Sequence, residues 1–140
     1  MADGKLKTTI DRLVELESTI HPTLHVYRWW RPDMALPAIW NWLTPGDVER
    51  PDNCRVRDLL RITVTIGVDP TAIAGEGDML ELEVYADLAL PVFDAAIYGP
   101  DPLGQRQSRR RGFQTVTDRL GDAPILCLEL PLEVNLDRTL

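Results

Sequence analysis

Residues 124–137 alternate apolar and polar side chains almost without a break. Leu126, Leu128, Leu130, Leu132, Val134 and Leu136 share one parity, while Cys127, Glu129, Glu133, Asn135 and Asp137 share the other. Successive side chains of a β-strand point to opposite faces, so this period of two describes a long strand with one aliphatic and one acidic face. A sheet containing it must bury the aliphatic face under a second layer.

The remaining segments can supply that layer and the rest of the sheet. Over residues 5–20, Leu6, Ile10, Leu13, Val14, Leu16 and Ile20 recur near a 3.6-residue period between charged residues, which predicts an amphipathic helix. His21-Pro22 ends it, because the residue before proline is driven out of the helical region. A Trp-rich segment, 24–43, follows. Its first part, Leu24 to Trp30, is β-prone, and Pro37 in the run Leu36 to Leu43 favours a sheet edge or a strand's first residue. Thr44-Pro45-Gly46-Asp47 reads as a turn, and the polar stretch to Asn53 as an exposed loop.

Residues 55–68 form the second clear strand, with Ile62, Val64, Ile66 and Val68 facing one way and Arg61, Thr63 and Thr65 the other. Residues 78–97 carry two patterns. Leu80 to Val84 alternates like a strand, whereas Leu82, Tyr85, Ala86, Ala89, Phe93, Ala96 and Ile97 trace a helical face behind an N-cap at Asp78. Length favours the helix, and Pro91 is expected to kink or split it. An exposed basic loop, 99–111, leads into a hairpin over 112–137 that turns at Gly121-Asp122. The sum is a single α+β domain over residues 1–140: a mostly antiparallel sheet, helices packed on one face, and a C-terminal β-hairpin.

Composition narrows the function. A net charge of −7 argues against a dedicated nucleic-acid binder, which needs a basic excess to neutralise phosphates. The N-terminal residues lack the apolar stretch of a signal peptide, and no run of 18 uncharged apolar residues occurs, so a soluble, cytosolically made protein is expected. Cys54 and Cys127 are isolated and read as small buried hydrophobes, although a disulfide between them stays open.

Catalytic vocabulary is sparse. His21 and His25 are four apart but lack a third ligand nearby, so no metal is expected. Glu81 and Glu83 could pair only on a strand, and nothing there would separate their pKa values. Ser18 and Ser108 lie in no nucleophile-elbow pattern, and the loop from Gly99 to Gly104 lacks the Lys-Ser/Thr of a phosphate loop. Neither an enzyme nor a cofactor is expected.

The non-catalytic signals are aromatic and basic. All four tryptophans, Trp29, Trp30, Trp40 and Trp42, lie within a short stretch. Tryptophan buries a large area at low entropic cost, so these residues are candidates for a subunit or partner interface, for plain core, or for a small-ligand cleft. Trp40 and Trp42 share a parity and would face together on a strand. Arg106, Arg109, Arg110 and Arg111 concentrate positive charge beside the flexible-looking loop. They could dock on the acidic face of a neighbouring copy, touch DNA, or simply be solvated.

The order of these parts resembles the tail terminator (tail completion, head–tail joining) proteins of long-tailed bacteriophages. The resemblance covers most of the chain and rests on arrangement. Its parts are the helix LKTTIDRLVELESTI, the segment LPAIWNWL ahead of a charged loop, the strand LLRITVTIGV, the helical LELEVYADLALPVFDAAIYG and the hairpin FQTVTDRLGDAPILCLELPLEVNLD. It implies a homo-hexameric ring on top of the tail tube that stops tube growth and joins tail to head. The partners implied are further copies, the tail tube protein and the head–tail connector protein. DNA would pass through the lumen without specific binding, no membrane is involved, and the protein is assembled in the host cytoplasm into the virion. In that setting Glu129 and Glu133 are candidates for an acidic lumen, and the arginine run for a contact with the next subunit or the tube. Two alternatives stand beside it: another neck component, an adaptor or stopper, or a small module binding a ligand on its aromatic surface.

Overall fold

The alternating C-terminal segment is an interior strand of a seven-stranded sheet. A computed structural model describes residues 5–44, 48–49, 55–69, 76–104, 108–121 and 123–139. The elements run α1 (Lys5–Glu17), β1 (His25–Val26), β2 (Ala38–Thr44), β3 (Val48–Glu49), β4 (Arg55–Val68), α2 (Glu76–Tyr98), β5 (Arg109–Arg110), β6 (Gln114–Leu120) and β7 (Ala123–Thr139). The sheet order is β1-β2-β4-β7-β5, with β3 also on β4 and β6 also on β7. Every pairing is antiparallel except β1 with β2. This is the α+β architecture expected from the sequence pattern.

Parity places the core. β4 and β7 pair along the whole of β4, from Arg55↔Thr139 to Val68↔Leu126, so Ile62, Val64 and Ile66 stand opposite Leu132, Leu130 and Leu128. Both helices cover that face: Ile10 and Leu13 from α1, and Leu82, Tyr85, Ala89, Phe93, Ala96 and Ile97 from α2, join the same buried cluster. Burying each large aliphatic or aromatic side chain there stabilises the fold by roughly 1.5–3 kcal/mol.

Several boundaries differ from expectation. α1 stops at Glu17 rather than residue 20. Ser18 and Thr19 end it, because their hydroxyls donate to the carbonyls of Glu15 and Leu16, each at 2.6 Å, while Thr19 and Ile20 bond three residues back instead of four. In the Trp-rich segment only His25–Val26 and Ala38–Thr44 are strands. The polar stretch before Asn53 is not all loop, since Val48–Glu49 pairs with Arg57–Asp58. The ambiguous segment is one unbroken helix, Glu76–Tyr98, with Pro91 inside it. Pro91 is exposed, so the carbonyl it leaves unbonded can be satisfied by water.

The stretch expected as an exposed basic loop is partly strand. Arg109↔Glu133 and Arg110↔Leu132 set the register of β5, and Gln114↔Glu129 that of β6. Between those pairs the edge takes four steps against three on β7, which is a one-residue bulge. Gly112 occupies it with φ of 87°, a conformation that suits glycine. The bulge faces Pro131, whose carbonyl accepts the Arg111 N–H at 2.8 Å. A strand residue directs its N–H and C=O to the same side, so the N–H that Pro131 lacks is missing toward the bulge and not toward β4. The Gly99–Gly104 stretch is tied down too. Leu103 N–H donates to Ala96 O at 2.7 Å, and the Arg12 guanidinium donates to the carbonyls of Asp101 and Pro102.

Candidate functional site

Among the described residues, one end of the sheet face away from the helices carries an apolar cover of its own. Met34, Ala38, Trp40, Ile125 and Cys127 form a second, small buried cluster, flanked by Tyr27, Leu36, Val116 and Leu120. Residues 27–36 fold over the sheet here; Tyr27 Oη accepts the Ala35 N–H at 3.0 Å, and Arg31 lies 5.8 Å from the Tyr27 ring centre. Part of the odd-numbered face of β7 is therefore core, not an open acidic surface.

Trp40 and Trp42 do share a face, as their parity requires, but not an environment. Trp40 is buried and Trp42 is 58% exposed. The seat for Trp40 is Gly67, which stands opposite Ala38 on β4. A Cβ on Gly67 would lie 2.6 Å from Trp40 Cη2 and 2.8 Å from Cζ3, so only glycine lets the indole lie on the strand.

Beside this seat opens a cleft of about 290 Å³ whose walls include Trp30, Trp40, Trp42, Thr65, Asp118 and Glu129. The sheet register builds it. Trp40, Thr65, Glu129 and Gln114 form one cross-strand row, and Trp42, Thr63 and Pro131 the next. Glu129 Oε1 accepts from Gln114 Nε2 at 2.8 Å, and Asp118 Oδ1 from the Arg119 N–H at 2.8 Å. Both acids act on Cys127, whose thiol is pushed up to about 12, first by burial and then by the negative charges of Asp118 and Glu129. That thiol is free and buried, and it stays protonated and inert at neutral pH. Cys54 lies outside the described residues. Three of the four tryptophans thus converge on one cleft; Trp29 is also partly exposed but does not line it.

The arginine run has a different fate from a mobile, solvated loop. Arg109 Nε and Arg111 Nη1 lie 3.3 and 3.2 Å from the two oxygens of Glu133. Arg110 turns to the helix face, where its guanidinium grips Asp94 at 2.7 and 3.3 Å and its N–H donates to Tyr98 Oη. This carboxylate raises the Arg110 pKa. Arg106 lies outside the described residues. Glu133 is not the free acid expected on a lumen surface: its side chain is 13% exposed and shared by two guanidiniums.

A second open surface lies on α2. Met79, Leu80, Val84 and Leu88 are exposed, and Phe113 is exposed across from them on the segment leading into β6. A mostly apolar groove of about 490 Å³ has Met79, Leu82, Leu90, Phe113 and Leu128 among its walls, with Glu83 and Asp87 beside them. Every side of α2 carries apolar residues, unlike α1 with its single apolar stripe.

One buried polar pair has no counterpart in the sequence reading. Glu17 is fully buried, and its Oε1 accepts from Asn41 Nδ2 at 2.9 Å; Asn41 Nδ2 also donates to Arg28 O at 3.1 Å. Glu17 Oε2 and Asn41 Oδ1 have no partner. Burial raises the Glu17 pKa to about 8, against the opposing bond from Asn41. A proton on Oε2 would give one orphan a donor for the other to accept. The signal was present: Glu17 continues the Ile10–Leu13–Ile20 stripe, and Asn41 shares parity with Ile39 and Leu43.

The other titratable candidates are structural. His21 Nδ1 caps a turn by accepting the Thr23 N–H at 3.1 Å, and its ring meets Tyr85 edge-on at 5.6 Å. Glu81 and Glu83 lie on a helix, and Ser108 Oγ accepts the Asn135 N–H at 3.0 Å. Among the described residues no three His, Cys, Asp or Glu side chains gather as a metal site, and no helix is long and apolar enough to cross a membrane. No family model matches the chain, and none of the curated proteins is significantly similar to it.

Proposed function

We propose that this chain is a structural virion subunit, one copy of a ring that caps the phage tail tube, terminates its growth and joins tail to head. The observation that carries the assembly reading is the outer face of α2. Leu80 and Val84 are each more than half exposed, on the same helix as Met79, which lines the groove with Phe113. A helix with apolar residues on every side calls for more cover than its own subunit gives, and the exposed Met79, Leu80, Val84 and Leu88 mark the part left open. A neighbouring copy seated in that groove would supply the rest, and a heterologous contact of this kind closes into a ring when its repeated rotation returns to the first copy.

The phage setting is supported by the order of elements, which fits the resemblance of the sequence to tail terminators. The partners are then the tail tube protein and the head–tail connector protein, with DNA passing through the lumen. Of the two acids expected at that lumen, Glu129 alone keeps an uncompensated charge, because Glu133 is bound by Arg109 and Arg111. The function requires no chemistry, so the protein is read as a non-enzyme. The aromatic cleft favours a second reading, a ligand-binding module, and a different neck component would assemble in a similar way.

Light scattering and negative-stain imaging of the purified chain test this reading. Closed rings of about six copies are the expected result. Val84→Asp with Leu88→Asp should leave a folded monomer. A wild type that stays monomeric at every concentration, with or without tail tube protein, overturns the ring.

A further inference from the structure

Among the described residues, most arginines hold a carboxylate. Arg12, Arg28, Arg31, Arg57 and Arg110 each hold an aspartate, and Arg109 and Arg111 share Glu133. Asp118 and Glu129 are the contrast. Each accepts a hydrogen bond from a neutral donor, and among the described residues no basic side chain pairs with either. Both carboxylates open into a cleft walled by Trp30, Trp40 and Trp42. Indole faces carry negative quadrupole potential, and they attract a cation most strongly where water is partly excluded.

We infer that this cleft is a receptor site for a basic side chain, an arginine or lysine presented by a different protein. The cation would stack on the exposed Trp42 while Asp118 and Glu129 neutralise it. Arginine fits best, because its planar guanidinium can stack and bond a carboxylate at once. The volume of about 290 Å³ suits one or two such side chains rather than a folded domain. Gly67 preorganises the floor by fixing Trp40 against the sheet, so binding need not order it. A second copy of this chain is the weaker occupant, since most of its described arginines, Arg109, Arg110 and Arg111 among them, already hold carboxylates. The inference does not depend on ring formation, and it gives Glu129 a binding role in place of a lumen-lining one.

The test is titration of the whole chain with a tri-arginine amide peptide, read by intrinsic tryptophan fluorescence and calorimetry at low and high salt. The expected result is saturable binding that weakens with salt, as an ion-paired contact must. In Asp118→Asn/Glu129→Gln, and separately in Trp42→Ala, affinity should fall at least about tenfold while the urea unfolding midpoint stays put. No saturable response in the wild type overturns the inference, as does an unchanged affinity in the folded variants. A response to a neutral oligosaccharide and none to tri-arginine would make the cleft a sugar site and overturn it. If tri-arginine instead dissociates a wild-type oligomer, the occupant is a second copy and the separate partner is overturned.

Discussion

The two faces of the sheet are built by the same strands and behave as opposites. On the helix side, Ile62, Val64, Ile66, Leu128, Leu130 and Leu132 form a continuous aliphatic floor under two helices. On the other side, the residues between them are Thr63, Thr65, Gly67, Cys127, Glu129 and Pro131, and a small apolar cluster roofs the end near Trp40. The first face is committed to stability, and the Glu17–Asn41 pair is a polar intrusion buried within it. The second keeps tryptophans and unpaired acids at the surface, where they cost little stability and are free to recognise something.

If that division is right, perturbations of the first face should cost far more than those of the second. The largest effect is expected from pH. Glu17 has a folded pKa of about 8 against an ordinary value of 4.5, so the folded state holds more protons between those limits. Its contribution is complete below 4.5 and is lost as pH rises through about 8, a change of at most roughly 5 kcal/mol. Urea unfolding across that range should show stability falling with pH, and Glu17→Gln should flatten the slope; a slope unaltered by the substitution would remove Glu17 as its source.

Next comes Phe93→Ala, which empties a fully buried site on α2 and should cost roughly 3–5 kcal/mol in chemical denaturation. On the opposite face, Gly67→Ala forces a methyl group into Trp40 and should cost about 1–3 kcal/mol. It should also shift the tryptophan emission, because the indole must leave its seat; a stable variant with unchanged emission would mean that Trp40 does not need the glycine. The smallest effect is expected from Trp42→Ala, within about 0.5 kcal/mol, since that ring is mostly in water. A large loss there would place Trp42 in the core economy and blur the contrast between the faces.

Much of this was legible in one dimension. The period of two at residues 124–137 and 55–68 announced the central strand pair, and the stripe Leu82, Tyr85, Ala89, Phe93, Ala96 and Ile97 is the face α2 buries. The candidate site was legible only as an inventory. Three tryptophans meet at one cleft and the fourth does not, and the partners Asp118 and Glu129 come from the hairpin far along the chain. For the arginine run, docking on another copy, touching DNA and solvation all stayed open in the sequence, because its partners Asp94 and Glu133 are distant along the chain and set by register. Glu17 passed as one more charge between apolar neighbours, although its spacing puts it on the buried stripe.

Sequence periodicity by itself determined which residues share a face, because strand and helix geometry are local and each side chain's direction follows from its position along the element. The tertiary structure alone decided which faces are covered. Whether Cys127 is core, Glu133 neutralised, Trp40 buried or Trp42 exposed depends on what folds over each strand from elsewhere in the chain. Burial and charge pairing are properties of the space between elements, and no local pattern encodes that space.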